Sequence, residues 1–544
     1  VKAITANPET IREVFSKRYI IPDFQRPYSW DNDPSEKLWD DIIDFYEGKE
    51  TKEDKYFLGN IVINPASDLP YEAWEVVDGQ QRLTTLLLLI KALHSRAGTV
   101  KALEECLRIK DPLTSELTDE LRASSFVISQ DREDLHTILL GGAEPAKSRL
   151  LDNYRLFGEK IDEWWQSQGQ TAEALNRLIL TLLDSVVLLP IHCGSEDDAL
   201  TIFETINNRG MSLSDADIFK AKLYHNIPQE DQAAFIEDWN ALEDHDWLFR
   251  VLMHILRAKT DEAGKEIGLR SYFSAQKGIL GDYAAIMRSL KIIHTISVNW
   301  YGNDEINALW RIMETYPNYY WYFPLFVFLH KHGTFDEEGG GFSLPEKRLH
   351  QFLELQNATV RYFFIKGLVY NAVNAVKDTV YRVCADIEQE RDYLASYEAN
   401  ISRNDRTALD PILHGDLRRR YQRGVVLLSA YLNPNQDRET FSQFMDGKYD
   451  IEHILPKKWN NYDGWTDALW RDQLNNLGNL IPLGRALNIA AKNEFFVRKK
   501  EEYAKSAIQD AQDLLALPEW TPDALIDSQE EKIARLLKYF RAEP

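Results

Sequence analysis

The sequence predicts a predominantly helical α+β protein of more than one domain, with β structure confined to two short regions. Three observations carry that expectation. The chain has 544 residues, whereas single hydrophobic cores stop growing near roughly 250–300. Aromatic and β-branched runs cluster within 56–77 and again within 449–483, while most of the remaining sequence spaces Leu and Ile by three and four, the helical period. Hydrophobic residues make up 44% and aromatics 12%, with 14 Trp and 25 Tyr, which is enough apolar material to fill large cores.

Charge and cysteine content narrow the class further. The 63 Lys+Arg stand against 86 Asp+Glu, a net charge of −23, so a uniformly basic surface that coats nucleic acid is excluded. The acidity is uneven: residues 411–500 hold 14 Lys+Arg and 10 Asp+Glu, a net of +4. Cys106, Cys193 and Cys384 are far apart and form no C-x-x-C pair, which fits a reducing compartment. The apolar runs Leu86–Ile90 and Val186–Ile191 fall far short of the roughly 20 residues that span a bilayer. No charged-then-apolar signal pattern is present, and the expectation is a cytoplasmic protein without a membrane partner.

Along the chain, Ile20-Ile21-Pro22 leads into Q-R-P-Y-S-W at Gln25–Trp30, and a helical pattern follows around Leu38–Tyr46. Tyr56–Ile63 and Trp74–Val77 read as strands joined by a hairpin loop. D-G-Q-Q-R (Asp78–Arg82) then opens an apolar helix, Leu83–His94. From Val100 to about Leu189 the pattern is mostly helical, with Trp164 and Trp165 as packing anchors. Within Phe203–Tyr224 an N-N-R-G turn precedes Ser214 and Asp217, a capping-box signature for the next helix. Helices fill about 225–400, interrupted at Gly339-Gly340-Gly341. The last unit places strands at Tyr449–Ile454 and Asn479–Leu483 before a helix over about Leu487–Lys505, a β-β-α order. The expected domains are 1–224, a helical middle region 225–400, and 401–544.

Two constellations carry chemistry. A backbone turning at Gly79 into a helix presents unpaired N–H groups and the positive end of the helix dipole, which suit a phosphate. Arg82 adds a fork, and Gln80 and Gln81 offer amides to a ribose, base or phosphate oxygen. Asp78 can hold Mg²⁺ or orient an attacking water when a nucleoside triphosphate is bound. Gln25 and Arg26 are further contributors. The pentapeptide is equally consistent with a plain Asp-Gly turn closed by an Asp78–Arg82 salt bridge.

The second constellation is an H-N-N arrangement of His453, Asn479 and Asn488 on the β-β-α unit. Phosphodiester hydrolysis needs a base to activate water and a cation to neutralise the leaving oxygen. His453 is the candidate base, with Asn479 orienting its ring. Glu452 and Asn488 supply hard oxygen ligands for Mg²⁺. Lys457, Lys458, Lys492, Arg498, Lys499 and Lys500 surround the motif and would grip DNA phosphates. Each feature alone has a bland reading: a structural histidine, an Asn-Leu-Gly-Asn turn, a solvated cationic helix face.

Both ends of the chain resemble the GmrSD-type restriction proteins, the modification-dependent (type IV) class built from domain-of-unknown-function families 262 and 1524. I-P-D-F-Q-R-P-Y-S-W (Ile21–Trp30), V-D-G-Q-Q-R-L-T-T (Val77–Thr85) and F-E-T-I-N-N-R-G-M-S-L-S-D-A-D (Phe203–Asp217) follow the order of the first family. The resemblance implies a ParB/sulfiredoxin-like fold that binds and hydrolyses a nucleoside triphosphate through Gln25, Arg26, Asp78, Gly79, Gln80, Gln81, Arg82 and Thr84, with Asp78 catalytic in turnover. Y-D-I-E-H-I-L-P (Tyr449–Pro456), L-G-N-L (Leu477–Leu480) and Leu487-Asn488 are similar to the HNH, or ββα-metal, motif of the second family. Asn488 stands where other HNH nucleases have His, and Glu452 where many have Asp or His.

The implied protein is an NTP-regulated, Mg²⁺- or Mn²⁺-dependent endonuclease of prokaryotic anti-phage defence, acting on modified double-stranded phage DNA. The alternative is an NTP-regulated DNA-binding protein whose HNH fold is catalytically silent. Residues 225–400 match no motif, and whether the chain forms a homodimer stays open.

Overall fold

The computed structural model describes residues 5–541 except 23–24, 26, 50, 52, 67–70, 112, 126–129, 142–146, 195–213, 265, 277, 301, 338, 372–375 and 416. Arg26 and the F-E-T-I-N-N-R-G-M-S-L stretch, 203–213, lie outside the described residues. The chain divides into two units, Val1–Glu237 and Asp238–Pro544, so the expected middle region from 238 on shares the second with the β-β-α segment, while 225–237 belong to the first.

The first unit is built on a mixed seven-stranded sheet. Its strands are β1 (Thr5–Ala6), β2 (Glu9–Thr10), β3 (Tyr19–Ile21), β4 (Tyr56–Pro65), β5 (Trp74–Asp78), β6 (Ala123–Ser125) and β7 (Val186–His192). Their order is β1-β7-β4-β5-β3-β6, with β2 also on β7. β3 and β5 are parallel, Tyr19 opposite Trp74, and both strands end at the same edge of the sheet. This topology sets the loop after β3 beside the glycine turn after β5. The unit's helices include α1 (Asn32–Gly48), α2 (Gln80–Ala97), α3 (Arg149–Ser167), α4 (Ala172–Ser185) and α5 (Asp215–His225). Leu83, Leu86–Ile90 and Leu93 of α2 are all buried, in one core with Ile61, Ile63 and Val76 of the sheet. α2 also packs along α3, which explains why it is apolar nearly all round. Ser214 and Asp217 form the expected capping box of α5.

One stretch differs from expectation. Val186–Ile191, read within a mostly helical region, is strand β7, parallel to β4. A short, continuous apolar run has no period that separates strand from buried helix. The same region also contains β6 and a hairpin, Arg108–Lys110 with Leu117–Leu121.

The second unit is mostly helical. Its relevant helices are α6 (Glu346–Tyr370), α7 (Arg419–Tyr431), α8 (Asp467–Gln473), α9 (Arg485–Ala491), α10 (Phe496–Tyr503) and α11 (Pro522–Arg541). An antiparallel pair, β8 (Tyr449–His453) and β9 (Leu480–Gly484), sets Tyr449 opposite Gly484 and His453 opposite Leu480. The single helix expected over 487–505 is instead α9 and α10, parted near Lys492, whose φ is +51°. α11 packs on the turn Leu477–Asn479. A Cβ at Gly478 would lie 2.3 Å from the Leu525 carbonyl oxygen, so this close approach requires glycine. Among the described residues no helix is long and apolar enough to cross a membrane.

Candidate functional site

In the first unit Asp78 ends β5, Gly79 turns the chain with φ +93°, and Gln80, Gln81 and Arg82 form the first turn of α2. Glycine is required twice over: φ is left-handed, and a Cβ would lie 2.6 Å from Ile61 Cγ2. Gly79, at the N-cap, supplies no side-chain cap to the helix. Arg82 reaches back to β4, where Nη1 donates to the Asn60 carbonyl at 2.6 Å. The guanidinium lies against Gly59, where the β4–β7 pairing shifts register. Burial pulls the Arg82 pKa down, opposed by the charge of Asp78.

The Q-R-P-Y-S-W loop closes over this turn. Gln25 Nε2 donates to the Val77 carbonyl at 3.1 Å. Gln81 Oε1 accepts from the backbone N–H groups of Ser29 at 2.8 Å and Trp30 at 3.3 Å, and its Nε2 donates to the Pro27 carbonyl at 3.1 Å. Three of the four hydrogen bonds open to that amide are therefore made with the loop, and Gln81 is a brace. Gln80 and Thr84 are also buried. The loop is held further by Tyr28, whose hydroxyl lies 2.7 Å from Thr85 Oγ1 and accepts from Asn153 Nδ2 at 3.0 Å. Asp131 Oδ2 accepts from the Tyr28 N–H at 2.8 Å.

In the second unit His453 sits at the end of β8, buried, and Asn475 Oδ1 lies 3.4 Å from its Nε2. Burial, with the charge of Lys457 second, pushes its pKa down to about 4, so the imidazole is neutral at pH 7. Nδ1 is buried and makes no hydrogen bond with a described residue. Asn479 does not orient the ring. Its Oδ1 accepts from the Leu455 N–H at 2.6 Å and its Nδ2 donates to the Leu474 carbonyl at 2.8 Å, which pins the chain just beyond His453. Asn488, partly exposed on α9, makes no side-chain hydrogen bond with a described residue.

The six cations assigned to DNA divide into two groups. Lys457, Lys458, Lys492 and Arg498 are exposed and form no ion pair with a described residue. Lys500 instead donates to the carbonyls of Leu515 and Leu517. Lys499 is buried: its Nζ donates to Glu452 Oε1 at 2.6 Å, to the His453 carbonyl at 2.6 Å and to the Ile454 carbonyl at 3.4 Å. An ammonium enclosed in this way is out of reach of a DNA phosphate.

Two family models match the sequence: the N-terminal domain of GmrSD restriction endonucleases over residues 11–224, and their C-terminal domain over residues 388–535. The chain belongs to the GmrSD restriction endonucleases. No curated protein matches it. The GmrSD N-terminal match holds the braced glycine turn, and the GmrSD C-terminal match holds the His453 corner. Membership makes the chain a nuclease of phage defence, with DNA as its substrate.

Nuclease chemistry raises the question of a divalent ion, and one of the two oxygens of Glu452 is already engaged. Glu452 Oε1 is shared by Lys499 and by the Tyr503 hydroxyl, at 3.1 Å. All three side chains are buried. A metal on this carboxylate would bind through Oε2, which makes no hydrogen bond with a described residue, because taking Oε1 would strand a buried ammonium. No group of three or more His, Cys, Asp or Glu among the described residues could hold a metal ion. Asn488 Oδ1 and Glu452 Oε2 are the oxygen donors of the expected set that no described residue engages. Asn475, Asn153 and Asp131 were missed in the sequence, because each reaches its site from an element remote in the chain or through a loop that carries no motif of its own; Thr85 ends the glycine-turn motif, but its partner Tyr28 lies in a separate one.

Proposed function

We propose that the protein is an NTP-regulated DNA endonuclease that uses neutral His453 to take the proton from an attacking water. The observation that carries this reading is the position of His453, a neutral imidazole at the end of β8 with four exposed cations on neighbouring segments that form no ion pair with a described residue. Lys457, Lys458, Lys492 and Arg498 would hold the phosphate backbone. Asn479 and Lys499 fix the chain on either side of the imidazole, and Asn475 restrains the ring. A divalent ion, Mg²⁺ or Mn²⁺, would neutralise charge at the leaving oxygen; Asn488 and Glu452 Oε2 are the oxygen donors left for it.

The glycine turn is the nucleotide site in this reading. The uncapped start of α2 would face the phosphates, with Gly79, Gln80 and Arg82 beside them and Asp78 at the strand end to orient water. Gln25 and Gln81 hold the covering loop over that turn, and buried Thr84 supports it from within α2. Nucleotide binding would act by moving this loop.

The buried Glu452–Lys499 pair also favours a second reading, an HNH-like fold that binds DNA without cutting it. The two separate on cleavage of modified and unmodified phage duplex with Mg²⁺, with and without each nucleoside triphosphate. The endonuclease reading expects cuts that depend on both the divalent ion and a triphosphate. Intact DNA under every condition, with duplex binding retained, would favour the silent fold.

A further inference from the structure

Helix α7 begins with an arginine run that lies outside every assignment made above. Arg418 stands at its N-cap position, followed by Arg419, Arg420 and, one turn on, Arg423. All four are exposed, and none forms a salt bridge with a described residue. The first turn contains no acidic residue. Cations at a helix start oppose the dipole, and like charges four residues apart, such as Arg419 and Arg423, repel. In a chain with a net charge of −23, a cluster that no described carboxylate pairs is one that an external anion would relieve.

The cluster adjoins the His453 strand. Arg423 Nη2 lies 3.4 Å from the Tyr449 carbonyl, and its guanidinium stands 4.6 Å from the centre of the Tyr449 ring. Lys448, exposed and without an ion pair to a described residue, precedes that tyrosine. α7 packs on β9. Arg423 and Tyr449 also line a cavity of about 460 Å³ with Arg311, Thr315, Glu314 and Asp446. The charge of Arg311 there is neutralised by Glu314 at 3.2 Å and Asp446 at 3.3 Å, and Arg485 nearby pairs with Asp450 at 3.2 Å. The cavity itself sums to zero, Arg311 and Arg423 against Glu314 and Asp446, so the net positive charge beside it is that of Arg418, Arg419, Arg420 and Lys448. From Tyr449 to His453 the strand runs about 13 Å, at roughly 3.3 Å per residue, a distance comparable to the width of a DNA groove.

We propose that Arg418, Arg419, Arg423 and Lys448 form a second phosphate-binding surface for duplex DNA, gripping the backbone one groove away from the bond at His453. Arg420, which donates to Asn371, supports the turn. The inference rests on the endonuclease reading of the His453 corner. It adds a DNA contact at the opposite end of β8 from the cations named so far.

The test uses the full-length chain with His453→Ala as parent, so that DNA binding is read without cleavage. Affinity for a plain duplex is measured as a function of salt, for the parent and for the parent carrying Arg418→Ala, Arg419→Ala and Lys448→Ala, none of which removes a side-chain hydrogen bond. Each lost phosphate contact should weaken binding roughly fivefold at 0.15 M salt and flatten the slope of log K against log salt by about 0.9. Replacement of the same residues by Lys or Arg should restore the slope. Parent-like affinity and slope in the triple variant would overturn the proposal, as would a parent that binds no duplex. In the cleavage-competent protein the triple variant should raise KM and leave kcat near its starting value. If the active protein cuts but His453→Ala cuts equally well, the reading of the corner fails while the salt slopes still decide this surface.

Discussion

The glycine turn of the first unit and the His453 corner of the second are both motifs written compactly in the sequence, and folding treats them differently. At the turn, the polar side chains hold one another: Gln81 is bonded to Pro27–Trp30 and Gln25 to the end of β5. At the corner, the buried groups restrain the backbone around one imidazole, while Asn488, Lys457, Lys458, Lys492 and Arg498 face outward and form no ion pair with a described residue. The first arrangement is a closed brace around a helix start. The second leaves charge available to a large anion. A motif shows where the chain comes together; the hydrogen bonds show which side chains remain available afterwards.

The contrast is broken most severely at Lys499. Lys499→Met leaves Glu452 buried without its counter-charge and should lower the unfolding free energy by about 3–5 kcal/mol, read by denaturant titration. Adding Glu452→Leu should recover much of that loss. A Lys499→Met protein as stable as its parent would remove the pair as the anchor of the corner.

Acid should weaken the same corner. His453 titrates near 4 in the fold and near 6.5 when unfolded, so the unfolded chain takes up the proton first as pH falls. Its contribution is fully present above about pH 6.5 and is lost towards pH 4, about 3 kcal/mol in all. His453→Gln should flatten stability across that window, and an unchanged pH profile would contradict the burial of a neutral ring. The acid limb of kcat/KM should likewise lie near pH 4.

At the turn the largest effect belongs to Gly79. Gly79→Ala combines a left-handed φ with a contact at 2.6 Å, and should cost about 2–4 kcal/mol, seen as a lower Tm. Gln81→Ala leaves the Ser29 and Trp30 N–H groups without their acceptor, and should cost about 1–3 kcal/mol while speeding hydrogen exchange at 28–30. Exchange as slow as in the parent would show that the loop is held without Gln81.

Much of the local architecture was legible in advance. Strand, glycine turn and helix at 74–97, and the β-β-α order at 449–503, follow from β-branched runs, a single obligatory glycine and apolar spacing. β7 was not, because a run buried along most of its length carries no alternation. At the sites, position was legible and role was less so. Asn479 binds backbone rather than the imidazole, Lys499 neutralises Glu452 rather than a phosphate, and Gln81 braces a loop. A sequence gives the chemical capacity of each side chain, and a partner dozens of residues away decides how that capacity is used.

Cleavage of duplex DNA by the full-length chain and by His453→Ala, side by side with divalent ion and triphosphate present, tests the central claim most directly. The account predicts that the parent cuts, and that the variant loses at least about 100-fold in rate while it keeps its fold and its affinity for DNA. A variant that cuts as fast as the parent would contradict it.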